Sequence, residues 1–128
     1  MPACALFYYR EDDASVPTAE WLDSLSRKAA QKCVARLVRL KELGHELRRP
    51  EADYLRDGIY ELRASLQGVH YRMLYFFHGT AAVIVSHGII KEREVPFREI
   101  QLAIRRKSSF EQDPVNRVLQ PRIPPHGV

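Results

Sequence analysis

Residues 60–76 read YELRASLQGVHYRMLYF. Gln67-Gly68 divides the stretch into two runs of strand-forming residues, and a two-residue loop with glycine closes a β-hairpin. Side chains alternate along a strand. With Leu66 opposite Val69, Ala64 meets Tyr71, Leu62 meets Met73 and Tyr60 meets Tyr75, so one side is apolar throughout. The other side sets Ser65 against His70 and Arg63 against Arg72. Cβ atoms of such pairs lie about 4.5–5.5 Å apart, where like charges oppose folding. The arginine pair therefore calls for an anion: Glu61 two residues along, a phosphate, or an acidic partner.

Outward from the hairpin, the order of elements sets the fold class. Residues 4–9 (CALFYY) form a short aromatic-rich run with strand character. Pro17 suits a helical first turn, with Ser15 or Thr18 as cap. Leu22, Leu25, Ala29, Cys33, Leu37 and Leu40 then recur at three- and four-residue steps up to Gly44, a helical stop. The pattern predicts two helices broken near Ser26, or else one long helix. Residues 45–56, with Pro50, read as a connection. Strand-like runs follow at 59–66, 69–77 and 81–90, and Pro96 opens a helix carrying Ile100, Ala103 and Ile104. Runs of strands without βαβ alternation imply an α+β domain: an antiparallel sheet of about four strands, N-terminal helices on one face and a C-terminal helix. The domain is expected over residues 1–110, and the proline-rich segment 111–128 reads as a flexible tail.

A length of 128 residues fits one core. No apolar run reaches the roughly 20 residues a spanning helix requires, and no basic segment precedes the first apolar one, so the expected location is cytoplasmic and no membrane partner is expected. Cys4 and Cys33 lack metal-ligand spacing and read as small core residues. A net charge of +4 suits nucleic acid or an acidic protein partner.

A two-residue loop near Gly79 would bring Val83, Val85, His87, Ile89 and Lys91 onto the side of Arg63 and Arg72. That side then holds a cationic group above an apolar floor of Ile59, Leu74 and Phe76, which requires a cover: the C-terminal helix or another protein. Arginines grip phosphate oxygens in bidentate fashion, lysine adds a point charge, and histidine moves protons near neutral pH. Such a set suits metal-independent RNA cleavage, in which a 2′-hydroxyl attacks the adjacent phosphate. The bland alternative pairs Arg63 with Glu61 and leaves His87 satisfied by backbone. Lys28, Lys32, Arg36 and Arg39 line the polar helical side, either as a solvated face or as a track for phosphates.

The ordered series LRDGIYELR, HYRMLYF, IIKE and VPFREIQLAIRR, within residues 5–110, resembles toxins of the RelE/HigB type, in particular the phage-derived HigB-like branch. The resemblance implies a toxin of a type II toxin–antitoxin pair that cuts mRNA on the ribosome. It implies no metal or other cofactor, and a helix-turn-helix antitoxin as partner. It places Arg63, Arg72 and Lys91 at the catalytic positions; beside them His87 is the first candidate for proton carrier, with His70, Tyr71, Glu61 or the ribosome as alternatives. RNA contacts fall to Lys28, Lys32, Arg36, His70 and Tyr71. The ParE relatives, which poison DNA gyrase, share the fold, so a non-catalytic toxin or a degenerate one kept for its antitoxin stays open. Two positions depart from the family pattern: Glu92 replaces the second lysine of a pair, and Phe110 stands where nuclease members often carry tyrosine.

Overall fold

The computed structural model describes residues 4–91 and 93–122. Its elements are β1 (Ala5–Tyr9), α1 (Pro17–Asp23), α2 (Arg27–Leu43), β2 (Ala52–Arg56), β3 (Ile59–Leu66), β4 (Val69–His78), β5 (Ala82–Ile90), α3 (Phe97–Gln112) and β6 (Val118–Leu119). The strands form one sheet in the order β2-β3-β4-β5-β1-β6. The expected α+β class holds, but the sheet has six strands rather than about four. It is also mixed, because β1 runs parallel to β5.

The central hairpin has the register expected from its sequence, from Tyr60 opposite Tyr75 to Leu66 opposite Val69, with Arg63 directly opposite Arg72. Gln67 and Gly68 both sit at positive φ, 53° and 82°, as a two-residue turn matched to strand twist requires. Asp57 and Gly58 repeat this geometry at 53° and 83° and join β2 to β3. Residues 45–56 are therefore not only a connection: their second half is an edge strand.

The β4–β5 hairpin departs from the expected parity and then regains it. His78 pairs with Ala82, so three residues make the loop. Val83 and Val85 consequently lie on the α2 side, in its core, not beside the arginines. A bulge at Ser86 then shifts the register, so that Leu74 meets His87 and Arg72 meets Ile89. Only His87 and Ile89 keep the placement expected for that set of strand residues.

Helices cover both faces. Ser26 caps α2 by accepting the Ala29 N–H at 3.2 Å, which explains the break after α1. Cys33, Leu37 and Leu40 of α2 pack on Leu62, Met73 and Tyr75. On the opposite face, Ile100, Ala103 and Phe110 of α3 cover Ile59, Leu74 and Phe76, so the floor finds its lid within the chain. Cys4 and Cys33 are buried, and burial pushes the Cys33 thiol up to about 12. α3 continues to Gln112, two residues into the expected tail, and Val118–Leu119 pairs with Tyr8 and Tyr9. Of the expected tail, 123–128 lie outside the described residues. No helix among those described is long and apolar enough to cross a membrane.

Candidate functional site

Glu61 answers the charge problem of the central hairpin. Its carboxylate is buried, 4% exposed, and accepts from both arginines at 2.7 Å: Arg63 Nη2 on Oε2 and Arg72 Nη1 on Oε1. Arg63 Nη2 also reaches Asp53 of β2 at 3.2 Å, and Arg72 Nε donates to the Lys91 carbonyl at 3.2 Å. Each guanidinium is thus held at two points, which fixes its plane.

Beyond Arg63 the last residues of β3, Ala64–Leu66, have no β2 neighbour, and a cleft of about 330 Å³ opens there. Arg36, Glu51, Arg63, His70, Tyr71 and Arg72 are among its lining residues. Arg36 reaches across from α2, donating Nε to the Arg63 carbonyl at 2.9 Å and Nη1 to Glu51 at 3.1 Å. Arg39 grips Glu51 with two nitrogens, at 2.8 and 3.2 Å, and its hydrogen bond holds the Glu51 carboxyl below the usual range. Arg49 does the same for Asp53. Among the described residues, Arg36, Arg39, Arg49, Arg63 and Arg72 form ion pairs with three carboxylates, Glu51, Asp53 and Glu61, and Glu42 adds a longer-range attraction on Arg39, so the cluster keeps a positive excess. Among the described residues, Arg36 Nη2, Arg63 Nη1 and Arg72 Nη2 have no hydrogen-bond acceptor. The arrangement is chemically a preorganised anion cleft: carboxylates fix the arginines, and unused N–H groups remain for a ligand.

The structure gathers Arg36, Arg63, His70, Tyr71 and Arg72 of the nominated residues in this cleft. Lys91 contributes backbone, its N–H donating to the His70 carbonyl at 3.1 Å, while the residue itself is exposed outside the lining. Lys28 and Lys32 line a separate shallow depression with Leu66. Phe110 belongs to the second core, 5.8 Å from the Phe76 ring, and so is not a cleft residue lacking a hydroxyl. Glu92 lies outside the described residues.

His87 is not in the cleft either; it is buried beneath α3. Its Nε2 lies 2.9 Å from Glu99 Oε1 and its Nδ1 2.7 Å from Ser86 Oγ. A neutral ring satisfies both, donating from Nε2 and accepting at Nδ1. Desolvation lowers its pKa below the ordinary 6.5, against the raising influence of Glu99. The unfolded chain then takes up the proton more readily than the folded one, so stability is full above about pH 6.5 and declines as pH falls below it. Urea titrations at pH 7.5 and 5.5 should show this loss, reduced in His87→Gln. An equal loss in both proteins would assign it elsewhere.

Arg49, Glu51 and Asp53 escape the sequence reading because 45–56 reads as a connection, whereas Arg39 is legible there only as part of the polar helical side. Asp57-Gly58 is the signal that reveals the strand before it. Among the described residues no cluster of histidine, cysteine, aspartate and glutamate is arranged to hold a metal ion. A family model described as phage derived protein Gp49-like (DUF891) matches residues 20–108, from α1 into α3. No curated protein matches the chain.

Proposed function

Because the chain belongs to the Gp49-like family of phage-derived proteins, a toxin-like family of the RelE/HigB type, we propose that it is the toxin of a type II toxin–antitoxin pair, of the phage-derived HigB-like branch, and that it cuts ribosome-bound mRNA without a metal. The observation that carries this reading is the pair Arg63 and Arg72, fixed by Glu61 with unused N–H groups at an open cleft. A phosphodiester placed there receives charge-assisted hydrogen bonds from Arg63, Arg72 and Arg36. They strengthen as the phosphorus becomes pentacoordinate and its oxygens gain charge. The 2′-oxygen bonds to phosphorus and the 5′-oxygen leaves, so one proton must be removed and one supplied. His70 and Tyr71 are the cleft residues able to exchange them, with ribosomal groups as co-reactants. The positive cleft also suits an acidic segment of a helix-turn-helix antitoxin, which would silence the toxin by occupying it.

Expression of the wild-type chain should arrest growth and yield new transcript 5′ ends that depend on translation. Arg72→Ala should remove both and, with one of several cleft cations gone, weaken antitoxin binding without abolishing it. Growth arrest undiminished in Arg72→Ala would sink the assignment. A second reading, a non-catalytic toxin acting on gyrase in the manner of ParE, draws on the position of His87, which is buried away from the arginines. DNA breaks without transcript cuts would select it.

A further inference from the structure

A second cavity, of about 460 Å³, lies on the other side of the segment that carries Glu51 and Asp53. His45, Arg48, Arg49, Asp53, Tyr54 and Tyr60 are among its walls. Its aromatic side is a continuous set of rings. Tyr54 meets Tyr60 edge-on at 5.0 Å, Tyr60 stacks on Tyr75 at 5.3 Å, and His45 stacks on Phe77 at 3.6 Å. Tyr54 stays 53% exposed despite these neighbours and belongs to neither core. Its hydroxyl is fixed by the Gly58 N–H at 3.0 Å, so the ring is held in place while its surface faces solvent. The charged side carries two arginines against one carboxylate, and Arg48 has no ion-pair partner among the described residues.

The cavity is also wired to the arginine cleft. Asp53 Oδ2 accepts from Arg49 at 3.0 Å and from Arg63 at 3.2 Å, so one carboxylate serves a wall of each. Fixed aromatic surface beside unneutralised arginine, one residue pair away from a phosphate cleft, is the combination that binds single-stranded nucleic acid: rings take bases and cations track the backbone. We propose that this cavity is a nucleobase subsite. It would stack one base of a single-stranded RNA on the exposed Tyr54 ring, with Tyr60 meeting the edge of that base, while Arg48 meets a flanking phosphate. The proposal rests on the RNA reading above and adds to it a base-binding site that does no chemistry. Because every base has a stacking face, the subsite contributes affinity and strand register more than sequence choice.

The test uses the full chain and two fluorescently labelled oligoribonucleotides of equal length, one normal and one abasic, with affinity read by anisotropy at fixed salt. Tyr54→Leu, which keeps bulk but lacks a ring, should weaken the normal oligomer about tenfold, the usual scale for one stacking ring, and leave the abasic one unchanged. Tyr54→Phe should bind both as wild type does, which separates stacking from any role of the hydroxyl in the turn. Arg72→Ala should weaken both oligomers alike. Equal affinity of Tyr54→Leu and wild type for the normal oligomer would overturn the subsite, as would a loss that is the same for the abasic one. Affinity for both oligomers unmoved by Arg72→Ala would overturn the phosphate cleft instead, and wild-type protein that binds neither overturns both.

Discussion

Replacing Glu61 by glutamine should lower the free energy of unfolding by about 3 kcal/mol, the lower end of what breaking a buried ion pair costs. The carboxylate is 4% exposed and Arg72 12%, so neither charge has water to fall back on. Arg63 is 35% exposed, and solvent screens its share, which is why the lower end applies. Glutamine preserves the shape but offers one acceptor and one donor to two donor-only guanidinium groups. The cross-strand arginines then repel without an intervening charge. Two companion measurements identify the cause. Glu61→Gln combined with Arg72→Gln should be more stable than the sum of the single losses implies. Sulfate should also recover part of the loss in Glu61→Gln, by binding the guanidinium N–H groups of Arg63 and Arg72 at the open cleft. A loss below about 1 kcal/mol in urea titration would show that Glu61 is not what holds the pair together.

Gly88→Ala should cost a similar amount, about 3 kcal/mol, through overpacking rather than charge. An ideal Cβ at Gly88 lies 2.2 to 2.5 Å from three ring carbons of Trp21, well inside any tolerated contact. The indole cannot simply swing away, because it also packs edge-on against Tyr71 at 6.3 Å and sits on α1, which Thr18 ties to the Val85 carbonyl of β5. The added methyl must therefore lift part of α1 from the sheet. Trp21 is the single tryptophan, so its fluorescence reports the displacement directly. Trp21→Leu should cost less in a Gly88→Ala background than in wild type. Unchanged tryptophan emission and stability in Gly88→Ala would contradict the packing described.

The central hairpin could be read residue by residue, because its loop has two residues and its period never slips. Arg63 was therefore placed opposite Arg72, and Glu61 named among the anions able to offset them. The helix break was legible for a similar local reason: Ser26 is a capping residue in front of a periodic stripe. What failed depends on partners distant in sequence. The parallel pairing of β1 with β5 has no local mark, since residues 5–9 and 82–90 meet only through the finished sheet. Val83 and Val85 were misplaced because the three-residue loop reversed the parity, and the bulge at Ser86 restored it by the time the strand reached His87. His87 accordingly arrived on the expected side but under α3, a layer that periodicity does not position. At the cleft, three arginines are legible as cations, whereas the carboxylates of Glu51 and Asp53 come from β2 and the residue just before it, within a segment that reads as connection.

The ends of the sheet bear on how the molecule meets other molecules. An exposed strand edge is a template for further strands, and proteins blunt such edges with short strands, bulges and charge. At one end β2 has only five residues, breaks register near Leu55, and carries Asp53 and Arg56. At the other, β6 is two residues long and masks Tyr8 and Tyr9 of β1. Neither edge offers a long flat ladder, so growth of sheet on sheet, the usual route to aggregation, finds little purchase. Recognition is left to side-chain surfaces, where the charge and shape of the cleft can discriminate between partners in a way that a bare backbone cannot.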